Sequence, residues 1–432
     1  MNTPVVRVAV IGAGFVGSSL VELLSDASRH VALVDAATAP LELVGVAVRD
    51  GAKVRVGVAP ELITTEAATL AARTDIDILV ELIGGIEPAR SYIEAALRHG
   101  VSVVTANKAL VAASGTELAR LAHANQADFF YEAAVGGGIP ILRALRTSLA
   151  GERIERVMGI VNGTTNFILS KMTSEGSDYD QALAEAQALG YAEADPRADV
   201  EAYDAAAKVQ ILSSLAFGTE LTGGEISREG ITGIRSIDVE FAARAHYVIK
   251  LLGVAERVGD SGISRRVHPA MVPLEHPLAS VHGAMNAVFV EGTQAGPLMW
   301  LGQGAGGGPT ATAVLGDVLD AARNRVSGRH DVPFSVDTTL DSVDAGDLRS
   351  VFYISLDVLD RPGVLAAVAG IFGAHDVSIQ SMEQSGFADE ARLSFFTHHA
   401  WTRDVYATVD DLARLESVDS IGACIRVIDG GA

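Results

Sequence analysis

The chain has 432 residues, with 33 Lys and Arg against 54 Asp and Glu, a formal net charge of −21. Hydrophobic residues make up 49% and charged residues 20%, which excludes a disordered chain and allows about two to four domains. So acidic a surface repels nucleic-acid phosphates and anionic membranes, and the single cysteine, Cys424, permits no intramolecular disulfide, as expected in a reducing cytoplasm.

In chain order, residues 5–11 read as a buried strand. The apolar run 8–24 is interrupted by Gly12, Gly14, Gly17, Ser18, Ser19 and Glu22, which argues against a signal peptide or a membrane span. Residues 41–48, 76–82 and 101–106 are further apolar strands, with helical stretches such as 91–99 between them. Strand–helix alternation with apolar strands predicts a parallel α/β sheet covered on both faces, over residues 1–140. Residues 141–304 change character. Helical patterns at 178–189 and 199–217 flank strand-like pieces at 154–161 and 287–290, an α+β substrate domain. The Gly-rich stretch 302–308 leads into a helix, and residues 305–328 are expected to pack back on the first domain. Residues 329–349 are polar, aperiodic and read as a linker. Beyond it, strand 351–358, helix 363–375, strands 378–383 and 391–398, helix 409–415 and strand 424–429 give a βαββαβ, ferredoxin-like module over 350–432.

Gly12-Ala13-Gly14-Phe15-Val16-Gly17 is a G-x-G-x-x-G turn between the first strand and a helix, the context that a dinucleotide site requires. It makes the first domain Rossmann-type. Gly12 permits the tight turn, Gly14 lets the backbone approach a pyrophosphate, and Gly17 permits close helix–strand packing. Phe15 and Val16 open the helix that faces the phosphates. Asp35 lies near the spacing of an acid that binds the ribose hydroxyls of NAD. Residues 31–35 (VALVD) make a poorer second strand than 41–48, however, and Arg49 and Lys53 follow the better one. Cations there suit the 2′-phosphate of NADP. Thr105-Ala106-Asn107-Lys108 ends another strand, where ligands of open α/β sheets bind, so Thr105 and Lys108 are placed to reach cofactor or substrate.

Residues 190–208 read GYAEADPRADVEAYDAAAK. Asp199 is a candidate helix N-cap. Asp204 and Lys208, four apart, share a helix face. That face also carries Val200, Tyr203, Ala207, Ile211 and Leu215, and the opposite side holds no charge, so the helix is predicted to be buried nearly all round. A carboxylate and an ammonium there are costly unless paired or working. A partly desolvated lysine suits proton transfer near neutral pH.

Together with residues 104–108 (VTANK), 132–140 (EAAVGGGIP) and 161–166 (VNGTTN), this segment resembles homoserine dehydrogenase over residues 5–325. The resemblance implies reversible NAD(P)-dependent hydride transfer between L-homoserine and L-aspartate 4-semialdehyde, in threonine, methionine and isoleucine biosynthesis. It makes Lys208 the acid/base and sets Lys108 beside the nicotinamide and the reacting oxygen. Glu193 and Asp204 would hold the homoserine amino group, supported by Asp199. Gly190 and Gly306 would contact the cofactor. Na⁺ would sit on Glu132 and the backbone oxygens of Val135, Gly137 and Ile139, a hard-cation set. The substrate domain would also dimerise. Two departures stand out: Arg197 replaces a small hydroxyl residue, and Ala202-Tyr203 replaces a glycine-containing pair.

Asp360-Arg361-Pro362-Gly363-Val364-Leu365 makes the C-terminal module resemble an ACT domain, which implies an amino-acid effector, L-threonine, and pairing into a homodimer or homotetramer. A structural or dimerising role is the alternative. An acylating aldehyde dehydrogenase would need a nucleophilic cysteine, and Cys424 lies in the regulatory module. A zinc dehydrogenase would need Cys/His ligand spacing that is missing from the sequence. A non-catalytic sensor of nucleotide and amino acid is the remaining competitor, and the retained Lys108, Glu193, Asp204 and Lys208 argue against it.

Overall fold

The computed structural model describes residues 4–53, 58–220, 226–331, 340–387 and 390–428. The chain divides into two compact units. The first combines Met1–Ile154, Gln210–Gly224 and Glu291–Thr339; the second combines Glu155–Val209, Glu225–Val290 and Leu340–Ala432. The span 141–304, expected as one domain, is thus shared between them. Of the expected linker 329–349, residues 332–339 lie outside the described residues.

In the first unit the strands are β1 (Val6–Ile11), β2 (Leu41–Ala47), β3 (Ile63–Thr64), β4 (Ile78–Glu81), β5 (Ser102–Thr105) and β6 (Phe129–Phe130). They lie in the order β3-β2-β1-β4-β5-β6, and each pairs with its neighbour in parallel. This is the doubly wound order, whose switch point lies between β1 and β4. Val8, Val10, Ile78 and Val80 are fully buried because helices cover both faces. One covering helix is Gly307–Ser327; its Ala311, Val314, Val318 and Ala321 share a core with Val8, Leu20 and Val46. Residues 31–35 lie within the His30–Ala37 helix, so Asp35 does not end a strand, and the second strand is the one that Arg49 follows.

The second unit holds β7 (Ile154–Ile160), β8 (Tyr247–Val258), β9 (Gly262–Pro273), β10 (Met285–Gly292), β11 (Arg349–Leu359), β12 (Ile379–Phe387), β13 (Glu390–Thr397) and β14 (Val418–Val427). They run in one sheet, in the order β10-β7-β8-β9-β14-β11-β13-β12. The C-terminal module is βαββαβ, with helices Val364–Ala374 and Thr402–Leu412. Its core holds Phe352, Ile354, Leu356, Phe372, Phe395 and Val405. Its last strand, β14, pairs in parallel with β9, Ala270 opposite Arg426 and Met271 opposite Val427, so the module's sheet continues the substrate-side sheet.

One expected helix is two. The pattern over residues 199–217 predicts a continuous helix, but Arg197–Val200 is a short helix and Tyr203–Phe217 a separate one. Between them Ala202 has φ +66°. Asp199 therefore lies inside the short helix, not at the N-cap of the long one. Among the described residues no helix is long and apolar enough to cross a membrane.

Candidate active site

The glycine turn follows β1 directly. Gly12 has φ +102°, and a Cβ on Gly17 would lie 2.0 Å from the Gly12 carbonyl oxygen, so only glycine closes this turn. A Cβ on Gly14 would meet nothing within 4 Å. Gly14 is the N-cap of the Phe15–Ser25 helix and, having no side chain, leaves the first-turn amides uncapped from within that position. That open face, with the helix amides behind it, fits a pyrophosphate. Phe15 is 78% exposed there, and Val16 follows it in the first turn. Arg49 is exposed just beyond β2.

The carboxyl ends of β4 and β5 are tied together. Glu81, fully buried, accepts from the Ile83 and Gly84 amides at 2.8 and 3.1 Å and from the Thr105 hydroxyl at 2.6 Å. Asn107 caps the Lys108–Ala124 helix by accepting from Leu110 N at 3.2 Å, and its amide donates to the Gly85 carbonyl at 2.6 Å. Lys108 is thus the first residue of a capped helix over a braced loop, and is itself half-buried.

Glu132 is 3% exposed. Its two carboxylate oxygens accept from Leu142 N at 2.8 Å and Arg143 N at 2.7 Å. Burial pushes its carboxyl above the usual range. Its own amide donates to Asp317 at 2.8 Å, and burial drives that carboxyl up to about 7. Val135 and Ile139 are buried nearby in sequence. Gly136 and Gly137 have φ of +72° and +56°, which turns the intervening carbonyls. The Ile139 carbonyl accepts from Ile141 N at 2.8 Å. Gly306, φ +124°, is the N-cap of the Gly307–Ser327 helix.

In the second unit, Lys208 Nζ donates to Asp204 Oδ2 at 2.7 Å and to the Val161 carbonyl at 2.6 Å. Their side chains are only 10% and 6% exposed. Around them Ala205, Val209, Ile211 and Leu212 are buried, while Tyr203, at 48%, is the exposed exception on the predicted apolar arc. Asn162 follows Val161 in the short connection after β7, and its amide donates to Asp199 at 2.7 Å and Asp204 at 2.9 Å. The fold therefore brings Asp199, Asp204 and Lys208 into one hydrogen-bonded cluster. Glu193 and Gly190 lie on the exposed loop after the Tyr179–Ala188 helix. Gly190 has φ +77°, and the Glu193 carbonyl accepts from Gln187 at 3.0 Å. Arg197 turns away onto Asp195 at 2.6 Å, holding that carboxyl down at about 2. The departure at 197 therefore forms an exposed local pair.

Lys108 belongs to the first unit and Lys208 to the second. Asn107 and Asn162 lie within motifs the sequence offers, but the sequence assigns no individual role to them or to Glu81. An acid closing an apolar strand was the signal for Glu81. Asn162-Gly163-Thr164-Thr165 carries the signature of a helix start. Chemically, a desolvated ammonium between a carboxylate and a carbonyl is equipped to exchange a proton with a bound hydroxyl.

Residues 140–319 match the family model described as homoserine dehydrogenase, residues 12–132 that described as homoserine dehydrogenase, NAD binding domain, and residues 352–417 that described as ACT domain. The homoserine dehydrogenase of Corynebacterium glutamicum is 49% identical over 426 residues, covering 98% of this chain and 95% of that protein. The crystal structure of a homoserine dehydrogenase from Thiobacillus denitrificans superposes with a TM-score of 0.93 at 38% identity, covering 100% of both chains. A hyperthermophilic archaeal homoserine dehydrogenase mutant in complex with NADPH gives a TM-score of 0.63 at 30% identity, covering 74% of this chain and 98% of that one.

Proposed function

Since the chain belongs to the homoserine dehydrogenase family, an oxidoreductase family with a NAD-binding domain and here a C-terminal ACT domain, we propose that Lys208 is its acid/base and that Asp199, Asp204 and Glu193 hold the substrate. The observation that carries this reading is the buried contact of Lys208 with Asp204 and Val161. In homoserine oxidation the neutral Lys208 amine takes the C4 hydroxyl proton and becomes the ammonium; in semialdehyde reduction the ammonium returns a proton to the developing alkoxide. Lys108 stabilises the oxygen's negative charge. Asp204 and Glu193 bind the substrate ammonium, and Asp199 supports them. A dinucleotide held at the glycine turn would supply the hydride acceptor for oxidation at C4 and the hydride donor for reduction.

NADP is the preferred dinucleotide, supported by Arg49 after β2, by the helical placement of Asp35 and by the NADPH bound to the archaeal relative. Gly12, Gly14, Phe15, Val16, Gly17, Thr105, Gly190 and Gly306 line its site. Na⁺ is held by Glu132 and the carbonyls of Val135, Gly137 and Ile139. A carboxylate combined with backbone carbonyls is an oxygen-only set that suits a hard monovalent ion, which would offset the Glu132 charge and order that loop. L-Threonine binds at the ACT domain, and the enzyme acts in the cytoplasm as a homodimer or homotetramer.

The test is absorbance at the reduced-nicotinamide band with L-homoserine and Na⁺, comparing NAD⁺ with NADP⁺, with and without L-threonine. Faster homoserine-dependent reduction of NADP⁺, slowed by threonine, is expected. Faster reduction of NAD⁺ overturns the dinucleotide assignment, and indifference to threonine overturns the effector.

A further inference from the structure

Asn162 does two jobs with opposite ends of one side chain. Its Oδ1 caps the Gly163–Glu175 helix, accepting from Thr165 N at 2.9 Å and from the Thr165 hydroxyl at 3.0 Å. With that oxygen accepting from the Thr165 backbone N–H, the amide orientation is settled, and Nδ2 faces the other way. There its two hydrogens meet two acids, Asp199 Oδ1 at 2.7 Å and Asp204 Oδ2 at 2.9 Å. The residue is 5% exposed, so water does not compete freely for these bonds. Capping needs only the oxygen; serine or aspartate caps as well. The amino half is surplus to the cap and is wholly engaged by the two carboxylates.

The backbone converges on the same point. Asp199 lies in the Arg197–Val200 helix and Asp204 in the first turn of Tyr203–Phe217. The left-handed turn at Ala202, φ +66°, separates them. Two like charges meet there on one neutral donor. Asp204 Oδ2 also accepts from Lys208 Nζ, which donates in turn to the carbonyl of Val161, next to Asn162. The two residues just after β7 thereby supply both the carbonyl that holds Lys208 and the amide that holds its counter-ion. Each carboxylate has several lone pairs, so it can accept from Asn162 and from a substrate ammonium together.

We propose that Asn162 is a positioning residue for the reaction, its side-chain NH₂ setting the spacing and orientation of Asp199 and Asp204 for the substrate's ammonium group. This rests on the reading that those carboxylates bind homoserine.

Asn162→Ser and Asn162→Asp both keep a capping oxygen and lose the amide donors. The expected result is a homoserine KM raised about tenfold or more, as for loss of charge-assisted hydrogen bonds. The fall in kcat is smaller than the rise in KM, and the NADP⁺ dissociation constant, read by fluorescence, is unchanged. A folded variant whose homoserine KM stays within about twofold of wild type overturns the proposal, since a purely structural cap predicts that result. If the serine variant does not fold, the isosteric aspartate variant is judged by the same criterion. Asp204→Asn separates the two levels. A raised KM in Asp204→Asn with a normal KM in Asn162→Ser overturns the positioning role alone. A normal KM in Asp204→Asn overturns the substrate reading and the proposal with it.

Discussion

Asp238 Oδ1 and Arg392 Nη2 meet at 2.6 Å, with Asp238 fully buried. Asp238 lies on the Ser236–Arg244 helix and Arg392 on β13 of the C-terminal module. Asp238 also accepts from the hydroxyls of Ser355, at 3.0 Å, and Tyr353, at 3.2 Å, both on β11. Arg392 reaches Asp357 at 2.9 Å with its other arm, and Asp357 accepts from Arg235 at 2.7 Å. Alternating acids and bases thus join the C-terminal module to the helix beside it, in addition to the β9–β14 strand pairing.

Arg392→Met leaves Asp238 buried with two hydroxyls, the Arg235 backbone N–H at 3.3 Å and, as counter-charge, the longer contact to the Arg235 side chain at 3.7 Å. Breaking one side of a buried pair costs about 3–5 kcal/mol, so the denaturant midpoint should fall by a corresponding amount. Adding Asp238→Asn removes the stranded charge and should recover part of that loss, a non-additive cycle. Additive losses in the double variant would show that the pair contributes no coupling.

Lys208→Met should lower kcat for homoserine oxidation by at least about 10²–10⁴-fold, the usual scale for a general base. NADP⁺ affinity should survive, because Lys208 is held by Asp204 and Val161 rather than by the glycine turn. Stopped-flow absorbance for turnover and fluorescence titration for the dinucleotide separate the two. Loss of binding with intact chemistry in the bound fraction would reassign the residue.

Local constraints were legible in the sequence, and closures over long separations were not. Gly12 and Gly17 could be read because the turn itself demands them. Asp204 and Lys208 could be read because helical periodicity sets them on one face of an otherwise apolar helix. Asn162 meets Asp199 and Asp204 across 37 and 42 residues, a pairing that periodicity does not encode. β8 and β9 went unassigned because Tyr247–Val258 and Gly262–Pro273 are buried on both faces. Such strands lack the alternation that distinguishes strand from buried helix. The break at residue 202 was hidden for another reason: alanine has the highest helix propensity, and only its surroundings impose φ +66°.

Ala202 supplies the next prediction. An L-residue in the left-handed region costs about 1–2 kcal/mol, and Ala202 is fully buried, where its Cβ has little room to relax. Ala202→Gly removes that strain and returns about 0.4–1 kcal/mol through the greater freedom of the unfolded chain. The net expectation is a gain of up to about 1.5 kcal/mol in stability, seen as a higher thermal midpoint. A lower midpoint would mean that the methyl group's packing outweighs its backbone strain.

Lys250 sets a pH dependence of stability. It lies on β8, 1% exposed, with Nζ donating to the Val281 carbonyl at 2.5 Å and to Asn166 Oδ1 at 3.1 Å. Burial lowers its amine from 10.5 to about 8. Below about pH 8 the amine is charged in both folded and unfolded chains, and folding must desolvate an ammonium. Between about 8 and 10.5 the unfolded chain binds more protons, so stability rises with pH across that window. The full rise is about 3 kcal/mol, because a tenfold change in proton affinity is worth about 1.4 kcal/mol. Lys250→Met abolishes this contribution while keeping the side chain's length and apolar stem. The quantity to measure is the wild-type minus variant stability from denaturant unfolding, at pH 7.5 and pH 10. Other groups that titrate over this range cancel in that difference, which should move in favour of wild type as pH rises. A difference that stays constant would mean that the two carbonyl acceptors hold the ammonium well enough to offset its burial.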